Sequence, residues 1–153
     1  MPVHSAALLL YRRANGSAEV FLGHMGGPFW ARKDAGAWSI PKGEFDPGAE
    51  EADAAARREF AEEVGVVWEG PVTRLGEFRQ PSGKVLVVHV APAEAPLEFV
   101  GSNEFTVEWP RGSGRMQSFP EIDRAGWFDL AQAREKVVRG QVPVLDALAR
   151  LVL

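Results

Sequence analysis

The sequence predicts an α+β fold, a mixed sheet covered by helices, and three observations carry that expectation. Short apolar strand segments punctuated by turn residues occupy residues 3–40 and return at 73–109. One helical segment, about 49–64, is set between them, and helical periodicity reappears only near the C-terminus. The 153 residues, 46% hydrophobic and 25% charged, suit one globular domain, 1–153, with no repeat, linker or low-complexity tract.

Taken in order, Val3 to Tyr11 reads as a buried strand, Asn15-Gly16 as a hairpin turn, and Glu19 to Leu22 as the start of the returning strand. His24 to Ala37 is Gly-rich and aperiodic, a long loop of the kind that usually carries function. Trp38 to Ile40 is a short strand stopped by Pro41, and Pro41 to Gly48 is turn chemistry leading into the helix, which Gly65 ends. Thr73 to Arg79 and Lys84 to Ala91 flank Pro81-Ser82-Gly83 as a second hairpin, and Phe105 to Trp109 adds a strand. A polar loop, Arg111 to Gln117, follows. Trp127-Phe128 is the last short strand, Asp129 caps a helix to about Arg139, and Val144, Leu145, Leu148 and Leu151 mark a second amphipathic stretch.

Composition excludes several chemistries. The chain has no cysteine, so disulfides, thiolate zinc sites and cysteine nucleophiles are ruled out, leaving carboxylates and histidines as metal ligands. The apolar run Ala6–Leu10 is too short to span a membrane, and Arg12 and Arg13 follow it, unlike a signal peptide; the expectation is a cytoplasmic protein without membrane contact. Net charge is −4, yet residues 44–63 hold eight acids against two bases. A nearly balanced remainder with one concentrated acidic element argues against an extended nucleic-acid-binding face. Oligomeric state is left open, a homodimer included.

On the central helix, at about 100° per residue, Glu62 and Glu63 fall within about 60° of Glu59, and Ala52, Ala55 and Ala56 share that sector one and two turns earlier. Small residues let the first half press on a sheet, while the second half presents carboxylates from the same face. These acids also crowd the helix C-terminus, where the macrodipole disfavours each by ~0.3–1 kcal/mol. A partly buried trio would hold a proton or bind a cation, and all-oxygen ligation suits Mg²⁺ or Mn²⁺. The other reading is a solvated acidic face, where like-charge pairs cost little.

The stretch Gly43 to Val66, GEFDPGAEEADAAARREFAEEVGV, resembles the Nudix box: Gly, five residues, Glu, seven residues, Arg-Glu-aliphatic-x-Glu-Glu-x-Gly-aliphatic. Arg58, Glu59, Glu62, Glu63, Gly65 and Val66 match, and Glu50 stands eight positions before Arg58. Six residues instead of five separate Gly43 from Glu50, and Phe60 replaces the aliphatic residue. The preceding hairpin, the Trp-Ser-Ile-Pro-Lys-Gly approach and the Trp-Phe strand before a final helix are also similar to Nudix proteins, so the resemblance spans the chain.

That resemblance implies a Nudix fold, a mixed sheet sandwiched between helices, and Mg²⁺- or Mn²⁺-dependent hydrolysis of a nucleoside diphosphate linked to another group. Glu59, Glu62 and Glu63 with the Gly43 carbonyl would hold metal, and Glu50 and Arg58 would pair. Catalytic work would fall to Glu59, Glu62 and Arg58. Dinucleoside polyphosphates or nucleoside triphosphates are the favoured substrates, since the approach segment is similar to that of dinucleoside polyphosphate hydrolases. Lys42, Arg79 and Lys84 are candidate phosphate contacts and Trp30 a candidate base-stacking residue, whereas Trp38, Trp127 and His89 read as packing residues. The general base is expected at Glu121, in a loop able to swing toward substrate six residues before Trp127, with Glu104, Glu108 and Asp123 as rivals. A catalytically inactive Nudix-fold nucleotide sensor or interaction module is the alternative, disfavoured by the intact trio. An isopentenyl diphosphate isomerase is disfavoured by the missing cysteine.

Overall fold

The computed structural model describes residues 2–94 and 96–153. Strands β1 (His4–Ala14) and β2 (Ser17–Met25) form the first hairpin, turning at Asn15 and Gly16 with φ of 48° and 77°. Both positions need the left-handed region, which Asn and Gly tolerate best, so this local signal was decisive. β1 is the axis of the sheet. It pairs antiparallel with β2 through Tyr11–Ala14, antiparallel with β4 (Lys42–Phe45) through His4–Ala7, and parallel with β6 (Val85–Pro92) through His4–Tyr11. β5 (Thr73–Arg79) lies beyond β6, and β3 (Trp38–Ser39) and β9 (Ile122–Asp129) pair with β2. Among the described residues these strands make one seven-stranded mixed sheet, while β7 (Glu104–Glu108) and β8 (Met116–Pro120) form a separate two-stranded ribbon.

Helix α1 (Ala52–Val64) covers one face of the sheet; α2 (Leu130–Lys136) and α3 (Val142–Val152) cover the other. Alternation along β1 assigns Leu8 and Leu10 to the α1 side with Ala55, Ala56 and Phe60, and Ala7 and Leu9 to the opposite side with Leu145 and Leu148. Because both faces are covered, the run Ala6–Leu10 is apolar without interruption and fully buried. Alanines at 55 and 56 let α1 approach closely, leaving space for Phe60 against Phe21, with ring centroids 6.3 Å apart. The aromatic residue in place of the aliphatic one is thereby accommodated.

Several boundaries differ from the sequence expectation. α1 begins at Ala52 because the Asp46 carbonyl accepts from the N–H groups of Ala49 and Glu50, both at 3.0 Å, and its side chain accepts from Gly48 at 2.9 Å. That Asx turn keeps 46–50 out of the helix and absorbs the extra loop residue. Lys42–Phe45 is a strand, not only a turn, since β1 supplies its partner. Part of the expected polar loop is β8, and the last strand is eight residues long rather than two. The Asp129 cap stands, as a capping box with Gln132, but α2 ends at Lys136 because Val137 bridges to Trp38; one 3-10 turn, Arg139–Gln141, then leads into α3. Among the described residues no helix is long and apolar enough to cross a membrane.

Candidate active site

The C-terminal half of α1 meets the β1–β4 edge. The register Ala6↔Gly43 places Gly43 directly under the helix, so closely that a Cβ there would lie 1.8 Å from Glu59 Oε2. Only glycine lets the buried Glu59 carboxylate rest on this strand. One position back, the backbone N–H of Lys42 donates to Glu63 Oε1 at 3.2 Å. A cavity of about 480 Å³ opens here, and its walls include Gly43, Glu59, Glu62, Glu63, Lys42, Lys84 and Glu121.

Glu121 is held over this cavity by backbone bonds. Asn103 N donates to Glu62 O at 2.8 Å, Glu121 N donates to Asn103 O at 2.9 Å, and Gly26 N donates to Glu121 O at 2.8 Å. Its backbone is thereby tied, at the β8–β9 junction, to Gly26 and through Asn103 to the C-terminal turn of α1. Two of the three rivals are engaged elsewhere. Asp123 binds His24, Glu108 accepts from the N–H groups of Gly112 and Gly114 at 2.8 and 3.2 Å, and Glu104 is exposed on β7.

Arg58 organises the acids. Its Nε and Nη2 donate to the two oxygens of Glu50, both at 2.9 Å, while Nη1 donates to Glu59 at 2.8 Å and to Glu62 at 3.2 Å. This fork holds the Glu50 carboxyl below its usual range. Burial pushes Glu59 up despite Arg58. Glu63 is pushed up to about 8, first by burial and then by the charges of Glu121 and Glu59, against the Lys42 contact. Among the described residues no three acidic or histidine side chains are preassembled as a cage. The donors are hard oxygens around an electronegative cavity, which suits an ion that completes its shell with substrate oxygens.

Arg58→Ala should lower turnover at least tenfold and the melting temperature by ~3 °C or more, since it strands one buried and two partly exposed carboxylates together. Thermal melting of the purified variant checks this; an unchanged transition would show that the fork contributes nothing.

Two other sequence candidates lie outside the cavity. Arg79 is exposed and its Nη1 donates to Gly83 O within its own hairpin at 3.4 Å. Trp30 borders a neighbouring pocket with Phe29, Phe105 and Trp109, and stacks edge-on with Phe29 at 4.9 Å. His89 is packed in β6, as expected. Two buried polar residues carried no signal in the sequence. His24 bridges the Lys33 carbonyl (2.7 Å) and Asp123 (2.9 Å), tying the long loop to β9. Gln141 donates to Ser39 Oγ and accepts from Ile40 N, both at 2.9 Å, fixing the approach to Lys42 and Gly43.

The family model described as the NUDIX domain matches residues 2–148. The fold is similar to the NUDIX domain of Shewanella oneidensis NrtR complexed with ADP ribose, at 15% identity over 100% of this chain and 90% of that one, TM-score 0.66. It is similar to a C. elegans Ap4A hydrolase, at 18% identity over 100% of both chains, TM-score 0.63. It is also similar to a mutT/nudix family protein from Listeria innocua, at 19% identity over 99% and 95%, TM-score 0.60. No curated protein matches. With the α+β sandwich and the family match over nearly the whole chain, the protein belongs to the Nudix family.

Proposed function

We propose that the chain is a Mg²⁺- or Mn²⁺-dependent pyrophosphohydrolase that cleaves a nucleoside diphosphate linked to another group, with dinucleoside polyphosphates and nucleoside triphosphates favoured. What supports this reading is the meeting of Glu59, Glu62, Glu63 and Glu121 with Lys42 and Lys84 around one cavity. The first three carboxylates and the Gly43 carbonyl would hold the cation. When bound, the ion supplies positive charge against the diphosphate and polarises the phosphorus under attack.

The chain's own groups do the remaining work. Lys42 and Lys84 receive phosphate oxygens, and the Arg58–Glu50 fork keeps Glu59 and Glu62 in place. The Glu121 carboxylate takes a proton from the attacking water as its oxygen bonds to phosphorus and the bridging P–O bond breaks.

Turnover of dinucleoside polyphosphates, nucleoside triphosphates and ADP-ribose, with Mg²⁺ and with chelator, tests the reading. Mg²⁺-dependent release of a nucleotide product is expected from at least one of them; binding without turnover would make the chain a sensor instead. Glu121→Gln should lower turnover at least a hundredfold, within the range for loss of a general base. Glu104→Gln should leave turnover intact. Wild-type turnover by Glu121→Gln across pH would move the base elsewhere.

A further inference from the structure

The last turn of a helix leaves backbone carbonyls without intrahelical partners, and those of α1 recruit a distant segment. Residues 100–103 cross the C-terminal end of the helix: Val100 N and Gly101 N donate to Val64 O at 2.9 and 3.2 Å, and Asn103 N donates to Glu62 O at 2.8 Å. This strap lies so close that a Cβ on Gly65 would fall 2.8 Å from Gly101 O. It also fastens the start of β9, where Ser102 Oγ accepts from Ile122 N at 3.1 Å and Asn103 O accepts from Glu121 N at 2.9 Å. Main-chain bonds alone thus set Asn103 between Glu62 and Glu121 on the cavity wall, and its side chain is left unspent.

Among the described residues Asn103 Nδ2 donates to no acceptor, and Oδ1 meets only Ser102 Oγ at 3.4 Å, a hydroxyl whose hydrogen is already committed to Asn103 O at 2.8 Å. The other polar side chains that α1 and the start of β9 bring to the cavity are carboxylates, Glu59, Glu62, Glu63 and Glu121. Ser39 also borders the cavity, but its hydroxyl donates to Ile40 O at 2.8 Å and accepts from Gln141 Nε2 at 2.9 Å. A water that attacks phosphorus aims a lone pair at it and needs acceptors for both of its hydrogens. Glu121 accepts one. A second carboxylate would repel the phosphoryl oxygens beside it, whereas a neutral carboxamide accepts the other hydrogen without charge and has N–H groups to offer those oxygens.

We propose that Asn103 is a further catalytic residue, whose carboxamide oxygen accepts a hydrogen of the attacking water while Nδ2 donates to an oxygen of the phosphorus under attack. The water is thereby held in line. Its oxygen bonds to phosphorus as the bridging P–O bond breaks, and the proton it loses goes to Glu121, so Asn103 exchanges no proton. This rests on the hydrolase reading above.

Because the strap is held by its main chain, changes to the Asn103 side chain probe chemistry and not the fold. The test measures kcat and KM of Asn103→Ala and Asn103→Asp on whichever of a dinucleoside tetraphosphate, a nucleoside triphosphate and ADP-ribose wild type cleaves fastest, beside Mn²⁺ binding by electron paramagnetic resonance. In both variants kcat should fall at least tenfold, with KM and Mn²⁺ affinity within about twofold of wild type. Aspartate has nearly the same shape but lacks the N–H donors and adds a charge, so it should do no better than alanine; a side chain that only filled space would be rescued by it. If either variant keeps kcat within about twofold of wild type, or if the loss of kcat comes with loss of Mn²⁺ binding, the hydrolase reading stands and this inference falls. If wild type cleaves none of the three substrates, both fall.

Discussion

Glu63→Gln is expected to lower turnover at least a hundredfold and, at the same time, to raise the melting temperature of the metal-free protein above pH 7. The loss of activity follows from removing a carboxylate charge while keeping its size, and Glu62→Gln should show the same loss. The gain in stability follows from linkage. Burial holds the folded-state pKa of Glu63 near 8, above its unfolded value of 4.5. The folded state thus binds more protons than the unfolded state between those values, and stability falls as pH rises through that window. Glutamine carries no proton to lose, so the variant escapes the fall, by ~5 °C at pH 8. Near-normal turnover of either variant at saturating Mg²⁺ would remove these residues from the metal site; identical pH–melting curves for wild type and Glu63→Gln would refute the burial argument.

Gly43→Ala should abolish most activity from a single methyl group. The new carbon would fall 1.8 Å from Glu59 Oε2 and 2.1 Å from its Cδ, so the carboxylate must leave its place between Arg58 and the β4 strand. Turnover is expected to drop about a hundredfold, a scale appropriate to misplacing one group of a catalytic constellation. The fold should persist, because the displaced atoms are the end of one side chain and the β1–β4 pairing is untouched. Circular dichroism alongside kinetics would separate the two effects. Retained activity would mean that the position of Glu59 against Gly43 has no bearing on the reaction.

Local chemistry made much of this molecule legible in advance. The Asn15-Gly16 turn, the left-handed cap at Gly65, the Asp129 capping box and the carboxylate sector on α1 each depend on residues within a turn or two of one another. What escaped depends on distant partners. β4 carries a glycine and two charged residues and is a strand only because β1 offers it hydrogen bonds. β8 has no polar–apolar alternation, is largely exposed, and exists through pairing with β7. His24 and Gln141 bond to residues about a hundred positions away, so no spacing rule announces them. Sequence position alone places Glu121 in a loop; the backbone bonds to Asn103 and Gly26 that set it beside α1 come from distant segments and leave no local trace. Arg79 and Lys84, both bases of one hairpin, diverge because only Lys84 reaches the cavity.

The central claim is that the α1 carboxylates form a divalent-cation site on which hydrolysis depends. Titration of the protein with Mn²⁺, followed by electron paramagnetic resonance, measures that site directly. Wild type should bind Mn²⁺, Glu59→Gln and Glu62→Gln should each lose that binding, and turnover should rise in parallel with site occupancy. Absence of Mn²⁺ binding in wild type, or full turnover in the presence of excess chelator, would contradict the assignment.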